Sequence, residues 1–139
     1  MHKFDDYFYD YFSFGCSAMS KCVESGVLVG RPFGGVNSLI NKKLRHVTET
    51  ICCHERYTVI KVLNYLIVNV YLPCVGSVDR LLICSDIFAD IQSWCNKFDT
   101  CEVIIAGDFN CDLTVSGADK VFDCVLGFVS ANSLIRCDS

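Results

Sequence analysis

The hydrophobic pattern of this chain changes from a strand type to a helix type part-way along, and this change constrains the fold most. Runs of β-branched and other apolar residues predict strands over residues 36–40, 44–53, 57–61 and 63–71. Apolar residues then recur at spacings of three and four over residues 77–98, which is the period of an amphipathic helix. A short apolar segment, residues 101–107, predicts a central buried strand, and residues 118–130 predict a last helix. This order predicts a mixed α/β, sandwich-like domain.

The composition fits a single globular domain over residues 1–139. Hydrophobic residues make up 52% of the chain and charged residues 20%, so a sizeable core is expected and disorder is excluded. The first 14 residues alternate aromatic and acidic side chains without a clear period, so we expect an ill-packed start that includes part of a helix at most. The formal net charge of -4 gives no general attraction to DNA or to an anionic membrane, so binding of either must be local.

Neither secretion nor membrane insertion is expected. The N-terminal residues are acidic and aromatic and lack the apolar core of a secretory signal, so we expect an intracellular protein, cytoplasmic or nuclear. The most apolar stretch, residues 57–75, is interrupted by Lys61, Asn64, Asn69 and Pro73, so no continuous apolar helix can cross a bilayer there.

Cysteine is unusually frequent in this chain. Its eleven cysteines are scattered singly through apolar stretches, as at Cys84, Cys95, Cys101 and Cys124. In a reducing compartment they are expected to remain free thiols that pack as small hydrophobic groups. The Cys-Cys-His segment at residues 52–54 lacks the spacing with which two thiolates bind one zinc ion, and neighbouring residues of a strand point to opposite faces.

The segment Gly107-Asp108-Phe109-Asn110 follows the predicted buried strand, at the position where α/β proteins keep their sites. Residues two apart in an extended segment point the same way, so Asp108 and Asn110 would present a carboxylate and an amide side by side. A carboxylate can orient or deprotonate a water molecule, and an amide can donate to a phosphate oxygen. The alternative is that both residues cap a turn, which is common for Asp and Asn.

A tyrosine ends the other long apolar strand in the same manner. If the two strands pair, Tyr71 brings a phenol beside the end of the second strand, where it can donate to a phosphate or a carboxylate. Asn69 lies two residues earlier on the same face, and a buried amide there needs hydrogen-bond partners. The alternative for Tyr71 is an amphipathic residue at the rim of the core.

Three segments in a fixed order resemble a known family. They are residues 30–36 (GRPFGGV), 69–73 (NVYLP) and 104–112 (IIAGDFNCD), with the predicted helix between the last two. Together they resemble the endonuclease/exonuclease/phosphatase superfamily. More narrowly, they resemble the apurinic-like endonuclease domain of non-LTR (LINE-type) retrotransposons. The clear match runs from Gly30 to Asp112, with weaker similarity over residues 14–19 and 132–138.

The resemblance implies a four-layer αββα sandwich that hydrolyses DNA phosphodiester bonds with a divalent metal, normally magnesium. In that family the aspartate that matches Asp108 activates or orients the attacking water. The asparagine that matches Asn110 contacts the scissile phosphate, and the tyrosine that matches Tyr71 supports the transition state. This chemistry is coherent, because a hard cation takes oxygen ligands and phosphoryl displacement needs positioning and charge stabilisation.

The chain also departs from the family pattern. The family has a strand that ends in a metal-binding glutamate, and Glu24 lies too close to Arg31 to take that role. It also has a Ser-Asp-His motif, which is absent here, and Asp138 is no persuasive substitute. We therefore expect an incomplete sandwich without its N- and C-terminal strands, with the metal ligands unknown and with activity and DNA binding weak or lost.

Two other functions stay open at this stage. A non-catalytic remnant or interaction domain would self-associate through exposed strand edges. A phosphatase or exonuclease would act on a smaller phosphate ester, although the turn Arg31-Pro32-Phe33-Gly34-Gly35 favours the retrotransposon branch of the superfamily.

Overall fold

The computed structural model describes residues 8–17, 35–113 and 119–137. These segments contain six strands, a short 3-10 helix and two α-helices. In chain order they are β1 (Tyr11–Cys16), β2 (Val36–Asn41), the 3-10 helix (Lys42–Val47), β3 (Thr48–Cys53), β4 (Tyr57–Val62), β5 (Tyr65–Tyr71), α1 (Arg80–Lys97), β6 (Glu102–Asp108) and α2 (Lys120–Ala131). Glu24, Asp138 and residues 31–34 of the predicted turn lie outside the described residues.

The strands form two sheets. Strands β1 and β2 pair antiparallel in the smaller sheet, and the larger sheet has the order β3-β4-β5-β6. Strands β3, β4 and β5 are antiparallel neighbours, whereas β5 and β6 are parallel. Helix α1 lies in the connection between these two parallel strands. Such a connection must carry the chain back to the edge of the sheet where β5 begins, so that β6 can run in the same direction.

The larger sheet is covered on both faces over its middle strands. On one face, Ser38 of β2 bonds Thr58 of β4 through their hydroxyl groups (2.8 Å), and Asn69 of β5 donates to the Asn37 carbonyl oxygen (3.3 Å). On the other face, α1 and α2 pack on the alternate residues of β4 and β5. The molecule is therefore a mixed α/β structure in which the larger sheet lies between the smaller sheet and a layer of helices. The four-layer sandwich of the resemblance stays a prediction.

The core lies between the helices and the larger sheet. Its fully buried side chains include Leu66 and Val68 of β5, Ile91 of α1 and Val125 of α2. Each such aliphatic side chain contributes about 2 kcal/mol through its removal from water. The buried positions of α1 recur at intervals of three and four, as the sequence pattern predicts: Cys84, Ile87, Phe88, Ile91 and Cys95.

Strand β6 corrects the prediction of a central buried strand. It lies at the edge of the described sheet, and only Val103 and Ile105 face the core. Ile104 is 45% exposed on the opposite face, and Ala106 beyond it is exposed too. The apolar run suggests burial on both faces, but the smaller sheet lies over β4 and β5 and leaves this face of β6 open. Such an edge is a ready template for pairing with another chain, and self-association there stays a prediction.

Two further predictions need correction at the ends of elements. Residues 11–14 of the segment expected to be ill packed, together with residues 15 and 16, form β1 because they pair along their whole length with β2. The predicted strand over residues 44–53 begins only at Thr48, since Asn41 caps a 3-10 helix by accepting a hydrogen bond from the Lys43 amide (3.0 Å). In the described part of the chain, neither α-helix combines the length and apolar character needed to cross a membrane.

Candidate functional site

Tyr71 and Asp108 end two neighbouring strands at the same edge of the larger sheet. The parallel register of β5 and β6 places them directly opposite each other, and the Leu72 amide donates to the Asp108 carbonyl oxygen (2.9 Å). Directly opposed residues of paired strands point to the same face. Here that face is the one opposite the helices, because Val70 points into the helical core. The structure therefore brings the phenol and the carboxylate together.

Asn110 joins this pair through the turn that follows β6. Its backbone N–H donates to Asp108 Oδ1 (3.0 Å), and its side-chain Nδ2 donates to the Leu72 carbonyl oxygen (2.8 Å). Its φ of 48° is left-handed, a conformation that Asn tolerates better than most residues. These hydrogen bonds are the ones expected if Asp108 and Asn110 cap a turn, which is the alternative given by the sequence. An amide nitrogen carries two hydrogens and a carboxylate two oxygens, so each side chain keeps further capacity for a ligand.

Arg80 hydrogen-bonds the loops that follow β5 and β6. This first residue of α1 is 11% exposed in its side chain, and its guanidinium donates in three directions. Nε donates to the Pro73 carbonyl oxygen (2.9 Å), Nη2 to the Asn110 carbonyl oxygen (2.6 Å) and Nη1 to the Asp119 carboxylate (2.5 Å). One side chain therefore links the ends of β5 and β6 to the start of α2.

Arg56 is a second cation at this edge. It precedes β4, and its carbonyl oxygen accepts a hydrogen bond from the Tyr71 amide (2.7 Å). Its guanidinium lies over the Tyr71 ring, 5.2 Å from the ring centroid, in cation–π geometry. Sequence reasoning missed both arginines. The signal for Arg56 is its position between the predicted strands over residues 44–53 and 57–61, which places it next to the end of β5 once β4 and β5 pair.

The described residues do not form a magnesium site. No group of three His, Cys, Asp or Glu side chains converges anywhere in the described ranges. At the end of β6, Asp108 already accepts one hydrogen bond, and the nearby Asp119 is paired with Arg80. Magnesium retains several waters and takes one or two carboxylates together with substrate phosphates. Asp112 follows in the same loop and has an interaction of its own, so the described carboxylates at this edge do not converge on a site that fits a resident ion.

The Cys-Cys-His segment is likewise not a zinc site. Cys52 packs towards the helices, whereas Cys53 lies opposite Thr58 and points to the other face of the sheet. His54 Nδ1 accepts a hydrogen bond from the Arg56 amide (3.2 Å), and its ring stacks on Tyr57 with centroids 4.8 Å apart. Cys52 and Cys53 therefore point to opposite faces of the sheet, as the sequence predicts.

The Arg80–Asp119 pair makes stability dependent on pH. The hydrogen bond from Arg80, followed by that from the Val121 amide, lowers the pKa of Asp119 below its ordinary value. A lowered pKa in the folded state stabilises the fold above about pH 4, and this contribution is lost as the pH falls through the folded-state pKa. We expect Asp119→Asn, which keeps the helix cap, to cost on the order of 1 kcal/mol at pH 6 and progressively less as the pH falls below about 4.

Urea unfolding of both proteins across this pH range measures the effect. An equal difference between wild type and Asp119→Asn at both ends of the range would show that the Asp119 charge does not stabilise the fold.

Comparison with known proteins yields no relative of this chain: no family model, no curated protein and no solved structure matches it.

Proposed function

We propose that this chain is a fragment of a retrotransposon-type, metal-dependent endonuclease that hydrolyses DNA phosphodiester bonds, and that it does not cleave DNA alone. The observation that carries the proposal is the parallel register of β5 and β6, which aligns Tyr71 with Asp108. Asp108 and Asn110 are hydrogen-bonded to each other, and both are bonded to Leu72, the residue that follows Tyr71, at one edge of the sheet.

Each of these side chains has a definite role in the proposed site. The Tyr71 hydroxyl donates to a phosphate oxygen, and the second hydrogen of the Asn110 amide donates to another. The Asp108 carboxylate orients a water molecule for attack on phosphorus and accepts its proton. The Arg56 guanidinium over the Tyr71 ring adds positive charge next to the phosphate, which offsets the overall charge of -4 locally.

The proposed inactivity follows from what these residues lack. Phosphoryl transfer is catalysed chiefly by positioning and by stabilising the charge on the transferring group. The described residues supply positioning groups but no cluster of carboxylates that would hold a metal. Removing members of a cooperating site costs orders of magnitude in rate, so binding of a phosphodiester is expected to survive better than its hydrolysis.

A non-catalytic interaction domain is the second candidate. It is favoured by the open face of β6, where Ile104 is 45% exposed at the edge of the described sheet. It is also compatible with the bonds of Asp108 and Asn110, since both residues act as turn caps whether or not they bind a ligand. The two functions differ in whether a phosphodiester binds at Tyr71.

NMR titration of the labelled chain with a short DNA duplex in magnesium tests the proposal. We expect saturable shifts of the amides of residues 71–72 and 108–111. Tyr71→Phe should weaken this binding about fivefold to tenfold, because one hydrogen bond to a charged group is lost. Tyr65→Phe is the matched control, since Tyr65 lies at the other end of β5 on the same face and is 46% exposed.

A plasmid-nicking assay completes the test. No nicking above the protein-free blank is expected from the folded chain. Magnesium-dependent nicking that disappears in Asp108→Ala would confirm an endonuclease but contradict the proposed inactivity. A folded chain whose amides at residues 71–72 and 108–111 do not respond to DNA would exclude the phosphodiester site and favour the interaction domain.

A further inference from the structure

Two cysteines meet between the two sheets, away from the candidate site. Cys16 is the last residue of β1 and lies opposite Val36, while Cys53 is the last residue of β3 and lies opposite Thr58. The Ser38–Thr58 hydrogen bond shows that these faces of the two sheets look at each other. Since opposed residues share a face, and residues two apart do too, the side chains of Cys16 and Cys53 both point into the layer between the sheets.

The two thiols lie near each other, because β1 packs against β3 and both cysteines end their strands. Partial burial of the Cys53 sulfur, followed by its interaction with Cys16, raises the pKa of Cys53 to about 11. At neutral pH the Cys53 sulfur is therefore almost wholly protonated. Cys53 is nevertheless exposed as a residue and Cys16 is half-buried, so a small reagent can reach the pair from the end of the strands.

Cys52 provides an internal comparison. It is the chain neighbour of Cys53 but packs towards the helical core, where burial raises its pKa. Its Cα lies opposite that of Val59, one residue along β4 from Thr58. The two adjacent thiols therefore occupy different layers of the molecule, and only Cys53 faces β1.

We propose that Cys16 and Cys53 form an oxidation site, at which a small-molecule disulfide such as glutathione disulfide converts the pair into a disulfide that joins the two sheets. In the first step the small fraction of Cys53 that is thiolate, on the more exposed of the two cysteines, attacks one sulfur of glutathione disulfide and displaces one glutathione thiolate. The Cys16 thiolate then attacks the Cys53 sulfur and displaces the second glutathione. The two cysteines lose two protons and two electrons in total, and glutathione disulfide is reduced to two glutathione molecules.

The bond would join strands that belong to different sheets. Between the sheets, the described structure has side-chain contacts such as Ser38–Thr58 and Asn69–Asn37 rather than strand pairing. A covalent bond between residues 16 and 53 restricts the unfolded chain over the whole intervening segment, which includes β2 and the 3-10 helix. On this basis oxidation should raise the melting temperature by roughly 10 °C.

The full chain, incubated with glutathione disulfide and then alkylated, tests this by peptide mapping without reduction. We expect a dominant link between the tryptic peptide with Cys16 and the peptide that carries Cys52 and Cys53, with fragment spectra that assign the link to Cys53. The rise in melting temperature should be reversed by dithiothreitol. Both effects should be lost in Cys53→Ser and kept in Cys74→Ser, whose cysteine is exposed and outside the layer.

The wild-type map alone decides the question if the Cys53→Ser chain does not fold. A folded wild-type chain that gives no Cys16–Cys53 link, or links either residue equally to other cysteines, overturns the proposal. So does a link that lowers the melting temperature, because it would then distort the contact between the sheets.

Discussion

Gly107→Ala is expected to lower the free energy of unfolding by about 3 kcal/mol or more, a large effect for one methyl group. Gly107 has a φ of 134°, a region that residues with a Cβ rarely adopt. A Cβ built on it would lie 1.9 Å from the Val70 carbonyl oxygen and 2.8 Å from the Val70 nitrogen. Both atoms belong to the backbone of β5, so no side-chain rotation relieves the clash and β5 and β6 must separate.

Substitutions at two other glycines separate the two causes of this loss in stability, which are backbone strain and contact of the new Cβ with neighbouring atoms. Gly76 has a φ of 86°, but a Cβ added to it would have no atom within 4 Å, so Gly76→Ala should show the strain alone, about 1 kcal/mol. Gly127 lies in α2 with equally open space, and Gly127→Ala should stabilise by up to about 1 kcal/mol. Urea unfolding measures all three. Equal losses in Gly107→Ala and Gly76→Ala would contradict the close approach of the two strands.

Arg80→Met is expected to cost about 3 kcal/mol, because it removes a mostly buried cation and leaves three acceptors without their donor. The acceptors are the carbonyl oxygens of Pro73 and Asn110 and the carboxylate of Asp119. Methionine preserves the apolar stem of the side chain, so the decrease in the free energy of unfolding measures the contribution of the guanidinium group. Arg80→Lys keeps the charge but cannot donate in three fixed directions, and about 2 kcal/mol of the loss should remain.

Lys120→Met is the control for Arg80, since it also removes a cation from the first residue of a helix, but at an exposed position. Its effect should stay within about 0.5 kcal/mol. Combining Arg80→Met with Asp119→Asn should cost less than the two single changes added together, because the residues share one interaction. Amide hydrogen exchange should also rise over residues 108–112 in Arg80→Met. Equal effects of Arg80→Met and Lys120→Met would show that Arg80 does not hold the two strand ends.

Much of the fold could be predicted from local pattern. The apolar period of α1 and the strand-like runs at β4 and β5 are local properties, and the structure confirms them closely. The exposure of β6 could not be predicted, because an apolar run looks the same whether one face or two are covered. That outcome depends on how far the β1–β2 sheet extends, and this is a tertiary property.

The candidate site divides in the same way. That Tyr71 and Asp108 each end a strand could be predicted, because a proline and a polar loop follow them directly. Whether the two residues lie side by side depends on the pairing of β5 with β6, and in the structure these strands pair with Tyr71 opposite Asp108. The role of Arg80 could not be predicted, since its partner Asp119 lies on another helix and no local period connects them. The proximity of Cys16 and Cys53 depends on the stacking of two sheets and leaves no signal in the spacing.

The parallel pairing of β5 and β6 also determines when the site can form during folding. Strands β4 and β5 are joined by a tight turn at residues 63–64, so their pairing closes a short loop. Pairing of β6 with β5 closes a much longer loop, which contains α1, so it is a non-local closure and is expected to be slower. We therefore expect Tyr71 to be held in a hairpin before Asp108 arrives beside it. A local opening that releases β6 would dismantle the site while the hairpin stayed intact.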